Sequence, residues 1–272
     1  MAFIDQDVRR SLGRAINQYG LIEDGDRIVV AVSGGKDSLL LLWLLRERLR
    51  RVPIDYELVA VHVDPGFDCE SADSLEAFLQ REKFDYEVIR TDHGVRAHSS
   101  ENRENPCFLC ARLRRTSLFR KAQELGCRKI AFGHNQDDFI ETFFINICYG
   151  AQVAGMLPRQ TFFGGEVTVI RPLALVPATK IERLCRRLGL PVIASCCPSA
   201  STNKRQQIRS LLAELYRGSS KVRGNIFHAM SHVNLDYLPP PLINGSNDAE
   251  RGREPLKKAY FHHEGEKEHE GS

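Results

Sequence analysis

Two glycines, a lysine and two serines fall within six consecutive residues of this chain, Ser33-Gly34-Gly35-Lys36-Asp37-Ser38. Glycines let backbone amides come close to an anion, Lys36 brings a full positive charge, and the Ser33 and Ser38 hydroxyls can donate to phosphate oxygens. A second polar run, Gly133-His134-Asn135-Gln136-Asp137-Asp138, is followed by Glu141, Thr142 and Asn146. With Asp37 and Asp64 it offers carboxylates to a metal ion or to groups that need orienting. The third set is thiol chemistry: Cys107 and Cys110 form a C-x-x-C motif, and Cys196 and Cys197 are adjacent. The first run is not a Walker A loop, which needs four residues between its first glycine and a Gly-Lys pair.

The flanks say what positions these groups. Residues 27–32 read as a buried strand and 39–45 as a helix, so the glycine loop lies at a helix N-terminus whose dipole favours an anion. This predicts a polyphosphate-binding loop. Strands are predicted at 28–32, 58–63, 86–91 and 129–132, and helices at 38–50, 71–83, 109–125 and 137–148. The alternation argues for an α/β fold of Rossmann type, a parallel sheet with helices on both faces. Ligands bind such sheets beyond the carboxyl ends of the strands, where Ser33, Val63-Asp64 and Gly133 would converge. Residues 92–106 read as a long polar loop, 162–169 as a hairpin and 179–188 as a further helix. Residues 1–19 suggest an amphipathic leading helix.

The chain of 272 residues is 42% hydrophobic and 27% charged, ordinary for a soluble globular protein. No run is long enough for a membrane span and no signal segment opens it, which predicts a cytoplasmic protein with no membrane partner. Its eight cysteines are then not a disulfide framework. Cys69, Cys127, Cys148 and Cys185 read as buried structural thiols. The net charge of +3 conceals basic clusters at 112–121, 180–187 and 204–223, candidate contacts for nucleic acid. Four segments are expected: an N-terminal helix at 1–24, the nucleotide-binding domain at 25–175, a helical extension at 176–241, and a disordered tail at 242–272, poor in apolar residues.

Together, the motifs resemble the PP-loop family of N-type ATP pyrophosphatases, which cleave ATP between its α and β phosphates and typically leave AMP on a substrate oxygen. The second run looks like the tRNA-modifying branch. Pro106-Cys107-Phe108-Leu109-Cys110, opening a basic helix, is similar to the tRNA 2-thiocytidine biosynthesis (tRNA cytidine 2-sulfurtransferase) family. The resemblance spans about residues 5–215 and implies an adenine nucleotide alpha hydrolase-like fold with ATP, Mg²⁺ and a [4Fe-4S] cluster as cofactors. It implies ATP binding by Ala31, Ser33, Gly34, Gly35, Lys36, Asp37, Ser38, Val63, Asp64, Gly133 and Asp138. Lys36, Asp37 and Asp138 would be catalytic, with Asp37 on the magnesium side; helix capping is the alternative role for Asp137.

In that family two cysteines of the C-x-x-C and one downstream hold the cluster. The downstream one precedes an Arg-Gln-x-Ile run by eight residues, which here is Arg205-Gln206-Gln207-Ile208 and selects Cys197, with Cys196 as the alternative. Arg112, Arg115, Arg186, Arg187 and Arg205 become candidate RNA contacts. The implied partners are tRNA, a cysteine desulfurase or other sulfur donor, and a possible second copy of the chain. The implied reaction is ATP-dependent tRNA thiolation: C2 of a cytidine carries an oxygen that leaves poorly, adenylation turns it into a leaving group, and sulfur replaces it.

Other readings use the same residues. Cys107, Cys110, Cys196 and Cys197 could form a Cys₄ zinc site, although adjacent cysteines suit one tetrahedral centre badly. A C-x-x-C could instead carry a persulfide, and arginines at a helix start would lower its thiol pKa. A 2-thiouridine-type thiolase or a non-catalytic ATP- and cluster-binding redox sensor would also use the loop.

Overall fold

The computed structural model describes residues 3–67, 71–193, 196–198, 204–219 and 221–239. Residues 1–231 form one compact unit; the second begins at His232 and shows a short 3-10 turn at Leu235–Tyr237. The expected tail at 242–272, like Cys69, lies outside the described residues.

Six strands make one sheet: β1 (Asp26–Ala31), β2 (Tyr56–Asp64), β3 (Tyr86–Arg90), β4 (Lys129–Ala131), β5 (Arg159–Phe162) and β6 (Val167–Ile170), in the order β3-β2-β1-β4-β6-β5. All neighbours are parallel except β5, which runs antiparallel to β6 at one edge. The order reverses between β1 and β4, the point where open α/β sheets place their ligands. The long connections are α1 (Phe3–Gln18), α2 (Lys36–Leu49), α3 (Ser71–Arg81), α5 (Pro106–Glu124), α6 (Gln136–Gly150) and α7 (Ala178–Leu188), with a short α4 (His93–Ala97) between β3 and α5. Two further helices follow, α8 (Lys204–Gly218) and α9 (Val222–Ala229).

Strand alternation feeds two cores. Ile28, Val30 and Val32 point to one face, where they meet α1, α2 and α7; Val29, Val59, Val61 and Val63 point to the other, against α5. In α1, Val8, Leu12, Ala15 and Ile16 recur at helical spacing and are all buried, as the amphipathic pattern requires. Leu39 through Leu45 are buried apart from half-exposed Trp43, so α2 is a central helix that fixes the loop before it. A smaller core joins α6, α8 and α9 through Ile140, Ile208 and Leu212, with Tyr216 and Phe227 against them.

Three local expectations change. The 92–106 loop contains α4, in which Gly94 donates to Pro65 O at 2.7 Å. The hairpin begins upstream of residue 162, since β5 is a polar edge strand that turns through a 3-10 segment at Phe163–Gly165. Cys127 and Cys185 are buried thiols, but Cys148 is exposed because the last turn of α6 runs past the core.

Candidate active site

The loop Ser33–Ser38 is folded on itself before any ligand arrives. Ser38 Oγ donates to Gly35 O at 3.0 Å and accepts from Ser33 N at 3.1 Å, while the Ser33 hydroxyl lies 3.2 Å from it. Gly34 sits at φ +82°, a left-handed conformation that glycine adopts freely. Its carbonyl accepts from Ile193 N at 3.1 Å, pinning the segment after α7 onto the loop. The helix that follows has Gly35 as N-cap and no side-chain cap bond. Its first amides, with Lys36 at the first helical position, are therefore open to an anion.

Gly133 brings the second run against this loop. A Cβ there would lie 2.9 Å from Asp37 C and from Ser38 N, so only glycine allows the end of β4 to approach the start of α2. Asn135 then joins the two. Its Oδ1 accepts from the amides of Asp137 and Asp138, and its Nδ2 donates to Asp37 Oδ1 at 3.2 Å. Asp138 Oδ2 accepts from Asn135 N at 2.9 Å, completing a capping box at the start of α6. The cap is therefore Asn135, with Asp138 as its reciprocal arm and no part for the Asp137 carboxylate. Asp137 instead accepts from Ala178 N at 2.7 Å and pairs with Arg223 at 2.9 Å.

Burial pushes the Asp138 carboxyl up to about 6, although the Asn135 amide and Arg205 favour its charge. Burial also raises Asp37, against the pull of Lys36 and Asn135. His134 moves down to about 3, through burial and then the charges of Arg171, Arg205 and Arg115. It is neutral at physiological pH, which lets Nδ1 accept from Arg171 Nε at 3.3 Å. On the next strand Val63 is buried, and Asp64 Oδ1 accepts from Gly66 N. Ala31 is half-buried at the end of β1, beside Val61. His62, buried and kept neutral by desolvation, donates from Nδ1 to Val32 O at 2.7 Å and ties β2 to the loop entrance.

The C-x-x-C opens α5. Asn105 caps the helix, accepting from Cys107 N and Phe108 N, and Pro106 occupies the first position. Three residues apart in one turn, Cys107 and Cys110 share a helix face. Cys107, Cys110 and Cys197 are outside any disulfide and half-buried; Cys196 is exposed and disulfide-bonded. Cys110 feels the charges of both Cys197 and Cys107, so the three thiols share one neighbourhood. Arginines were expected to lower such thiols; at Cys110 burial outweighs Arg114 and the shift is upward. Among the described residues no three His, Cys, Asp or Glu side chains stand ready-made around a metal ion. As a donor set, three thiols suit an iron–sulfur cluster better than a closed zinc site, which normally takes four ligands.

Of the arginines singled out for RNA, Arg115 and Arg205 bear on His134 and so face the site. Arg205 reaches Asp138 at 3.2 Å and Glu141 at 3.3 Å, and Arg209 grips Glu141 through both oxygens at 2.8 and 3.0 Å. Glu141 is 3% exposed. Arg112 pairs with Glu104, Arg186 with Glu182 and Arg187 with Asp5, so none of these three joins that network. Sequence reasoning gave no site role to Asn135 or Tyr216 and counted Arg209 and Arg223 only within the 204–223 basic cluster. Asn135 had a signal, the Asn-x-x-Asp capping spacing; the others come from helices with no motif of their own.

A family profile for the PP-loop domain matches residues 4–215. The tRNA-cytidine(32) 2-sulfurtransferase of Geobacter sulfurreducens is 39% identical over 245 residues, covering 88% of this chain and 95% of the relative. The enzyme of the same name from Syntrophotalea carbinolica is 40% identical over 234 residues, covering 85% and 90%. Among solved structures, the U34-tRNA thiolase NcsA of Methanococcus maripaludis, with its [4Fe-4S] cluster, has the same fold, at TM-score 0.72 and 23% identity over 87% of this chain and 80% of that one. A glycine loop at an uncapped helix, a capped acidic helix beside it and three gathered thiols thus occur in a chain that belongs to the PP-loop family and, within it, to the tRNA-cytidine 2-sulfurtransferases.

Proposed function

We propose that this chain thiolates tRNA in an ATP-dependent reaction, exchanging the C2 oxygen of a cytidine for sulfur, with a [4Fe-4S] cluster on Cys107, Cys110 and Cys197. The observation that supports the reading is that Cys110 feels the charges of Cys197 and Cys107, in a protein whose α2 N-terminus is open to phosphate. The α2 amides, Lys36 and the loop serines hold the triphosphate. The base O2 attacks the α-phosphorus, the bond to the β-phosphate breaks, and pyrophosphate leaves with its electron pair beside Lys36. A hydrosulfide-level nucleophile then adds to C2, and AMP departs with the oxygen.

When bound, the cluster supplies a coordination position from which sulfur can be presented. Arg114 lies close enough to Cys110 to favour its thiolate. Magnesium suits Asp37 and Asp138, since Mg²⁺ is commonly held by one or two carboxylates plus substrate phosphates rather than by an all-protein cage. Arg112, Arg115, Arg186, Arg187 and Arg205 serve the tRNA backbone, and a cysteine desulfurase or other donor replenishes sulfur. The relatives' names specify cytidine 32 as their target.

Anaerobic purification followed by iron, acid-labile sulfide and zinc assays tests the cluster in Cys107→Ser, Cys110→Ser, Cys196→Ser and Cys197→Ser. Iron and sulfide in near-equal amounts, lost in every variant except Cys196→Ser, together with tRNA-dependent AMP formation, is the expected result. Zinc without sulfide, or AMP formation indifferent to tRNA, overturns the reading.

A further inference from the structure

A cavity of about 340 Å³ opens beside the loop, walled by the start of α6 and by α8 and α9. Lys36 and Asp37 form part of its lining, so whatever fills it lies next to the phosphates held at α2. Its charge does not suit a polyanion. Lys36, Arg209 and Arg223 face four carboxylates, Asp37, Asp137, Asp138 and Glu141. Arg209 and Arg223 are already neutralised by Glu141 and Asp137. A near-balanced, polar cavity with one aromatic wall fits a neutral nucleobase.

That wall is Tyr216. The Arg223 guanidinium lies 4.5 Å above its ring centre. Tyr216 Oη is buried with no well-formed hydrogen bond, its nearest polar neighbour being the Arg223 guanidinium, while burial raises its pKa. A buried hydroxyl with no partner normally marks a missing ligand or water. Enzymes that act on a ring atom of a base must take it out of the stack and hold it between aromatic or apolar groups, read through its polar edge. The oxygens of Asp137 and Asp138 already accept from Ala178 N, Arg223, Asn135 N and Arg205, and each keeps a second lone pair that can take an exocyclic amino group, which cytosine has and uracil lacks.

We propose that this cavity receives the extruded target pyrimidine, stacked on the Tyr216–Arg223 wall with its amino edge toward Asp137 and Asp138. The assignment rests on the thiolation reading and adds to it the pocket and the groups that select the base. Tyr216 is then a substrate-binding residue, far in sequence from the loop and the cysteines.

The test uses the anaerobic, cluster-loaded full chain and a full-length tRNA. With 5-iodocytidine at the target position, irradiation should join the RNA to Tyr216, read by mass spectrometry of the peptide. Tyr216→Ala should lower kcat/KM for tRNA in AMP formation by about tenfold to a hundredfold, the size of one lost base stack. ATP affinity should stay within about twofold, which also shows that the variant folds, and Tyr216→Phe, which keeps the stack but loses the hydroxyl contact, should fall between Tyr216→Ala and wild type. A tRNA with uridine at the target should fall by at least about tenfold, the scale of a lost edge contact. A crosslink elsewhere, a tRNA kcat/KM unmoved in Tyr216→Ala, a weakened ATP affinity instead, or equal turnover of uridine each overturns the assignment. If wild type forms no AMP with tRNA, the thiolation reading fails and this inference falls with it.

Discussion

The N-termini of α2 and α6 lie side by side, at the carboxyl ends of the neighbouring strands β1 and β4, yet they are finished in opposite ways. The first turn of α2 has a glycine cap with no side-chain bond, a lysine, and serines turned onto the loop itself. That of α6 has a complete capping box and two aspartates, with buried Glu141 one turn on. Both helices present the same dipole and the same spare amides. In α6 these are satisfied by Asn135, and its carboxylates draw arginines from α8 and α9. In α2 they are left for a ligand. The contrast teaches that phosphate affinity in this fold depends on what a helix start leaves unsatisfied, beyond its place in the sheet. It also assigns complementary tasks: α2 holds the anion, and α6 organises the acidic and arginine wall facing it.

The severest way to break the pair is at their contact. Gly133→Ala puts a Cβ against backbone atoms of Asp37 and Ser38, which cannot rotate away. A displacement of under an ångström at the loop should cut tRNA-dependent AMP formation on the order of a hundredfold. Single-turnover assays beside thermal melting separate this from unfolding; full activity would mean that the two helix starts need not touch. A second prediction uses the acidic side alone. Burial raises the Asp138 carboxyl from its ordinary 3.8 to about 6 in the fold. Its stabilising contribution is whole below the unfolded value and is lost as pH rises through about 6, a swing of roughly 2–3 kcal/mol. Asp138→Asn keeps the oxygen that accepts from Asn135 and removes the titration. Urea unfolding of wild type and variant from pH 4.5 to 7.5 should therefore show the variant gaining on wild type as pH rises. A constant difference would mean that Arg205 compensates the charge fully.

Much of this was legible in the residues themselves. Buried parallel strands are apolar runs, so β1, β2 and β4 announced themselves, and the phosphate loop is six contiguous residues. The choice of Cys197 over Cys196 came from the family resemblance rather than from the residues themselves. Other parts are written in contacts. A five-residue helix such as α4 has no period to read, and β5 is an edge strand whose Arg159, Gln160 and Thr161 look like loop. The cavity wall combines α6 with Arg209, Tyr216 and Arg223 from far downstream. That Arg205, a candidate RNA contact, also reaches Asp138 and Glu141 is written only in contacts, since nothing local in the sequence says they lie beside it. Cys110 reverses its expected shift for the same reason: its arginine neighbour is visible in sequence, whereas its burial is not.

The finest test converts one helix start into the other. Gly35→Asn gives α2 the kind of cap that Asn135 gives α6. The substitution is sterically open: Gly35 has φ −73° and ψ 157°, ordinary for an N-cap asparagine, and a Cβ there would meet Ser33 Oγ at an unstrained 3.4 Å. Asparagine caps better than glycine by a few tenths of a kcal/mol, so stability should rise slightly or hold. The new side chain would take an amide otherwise left for phosphate. Losing one such hydrogen bond to a charged group, worth about 1.5 kcal/mol, should weaken ATP binding about tenfold. Calorimetric titration with ATP beside thermal melting reads both numbers. Opposite movements, tighter fold and weaker nucleotide, show that the open cap is kept for the ligand at the expense of the helix. Unchanged ATP affinity would instead leave Lys36 and the loop serines as the phosphate holders and make the missing cap incidental.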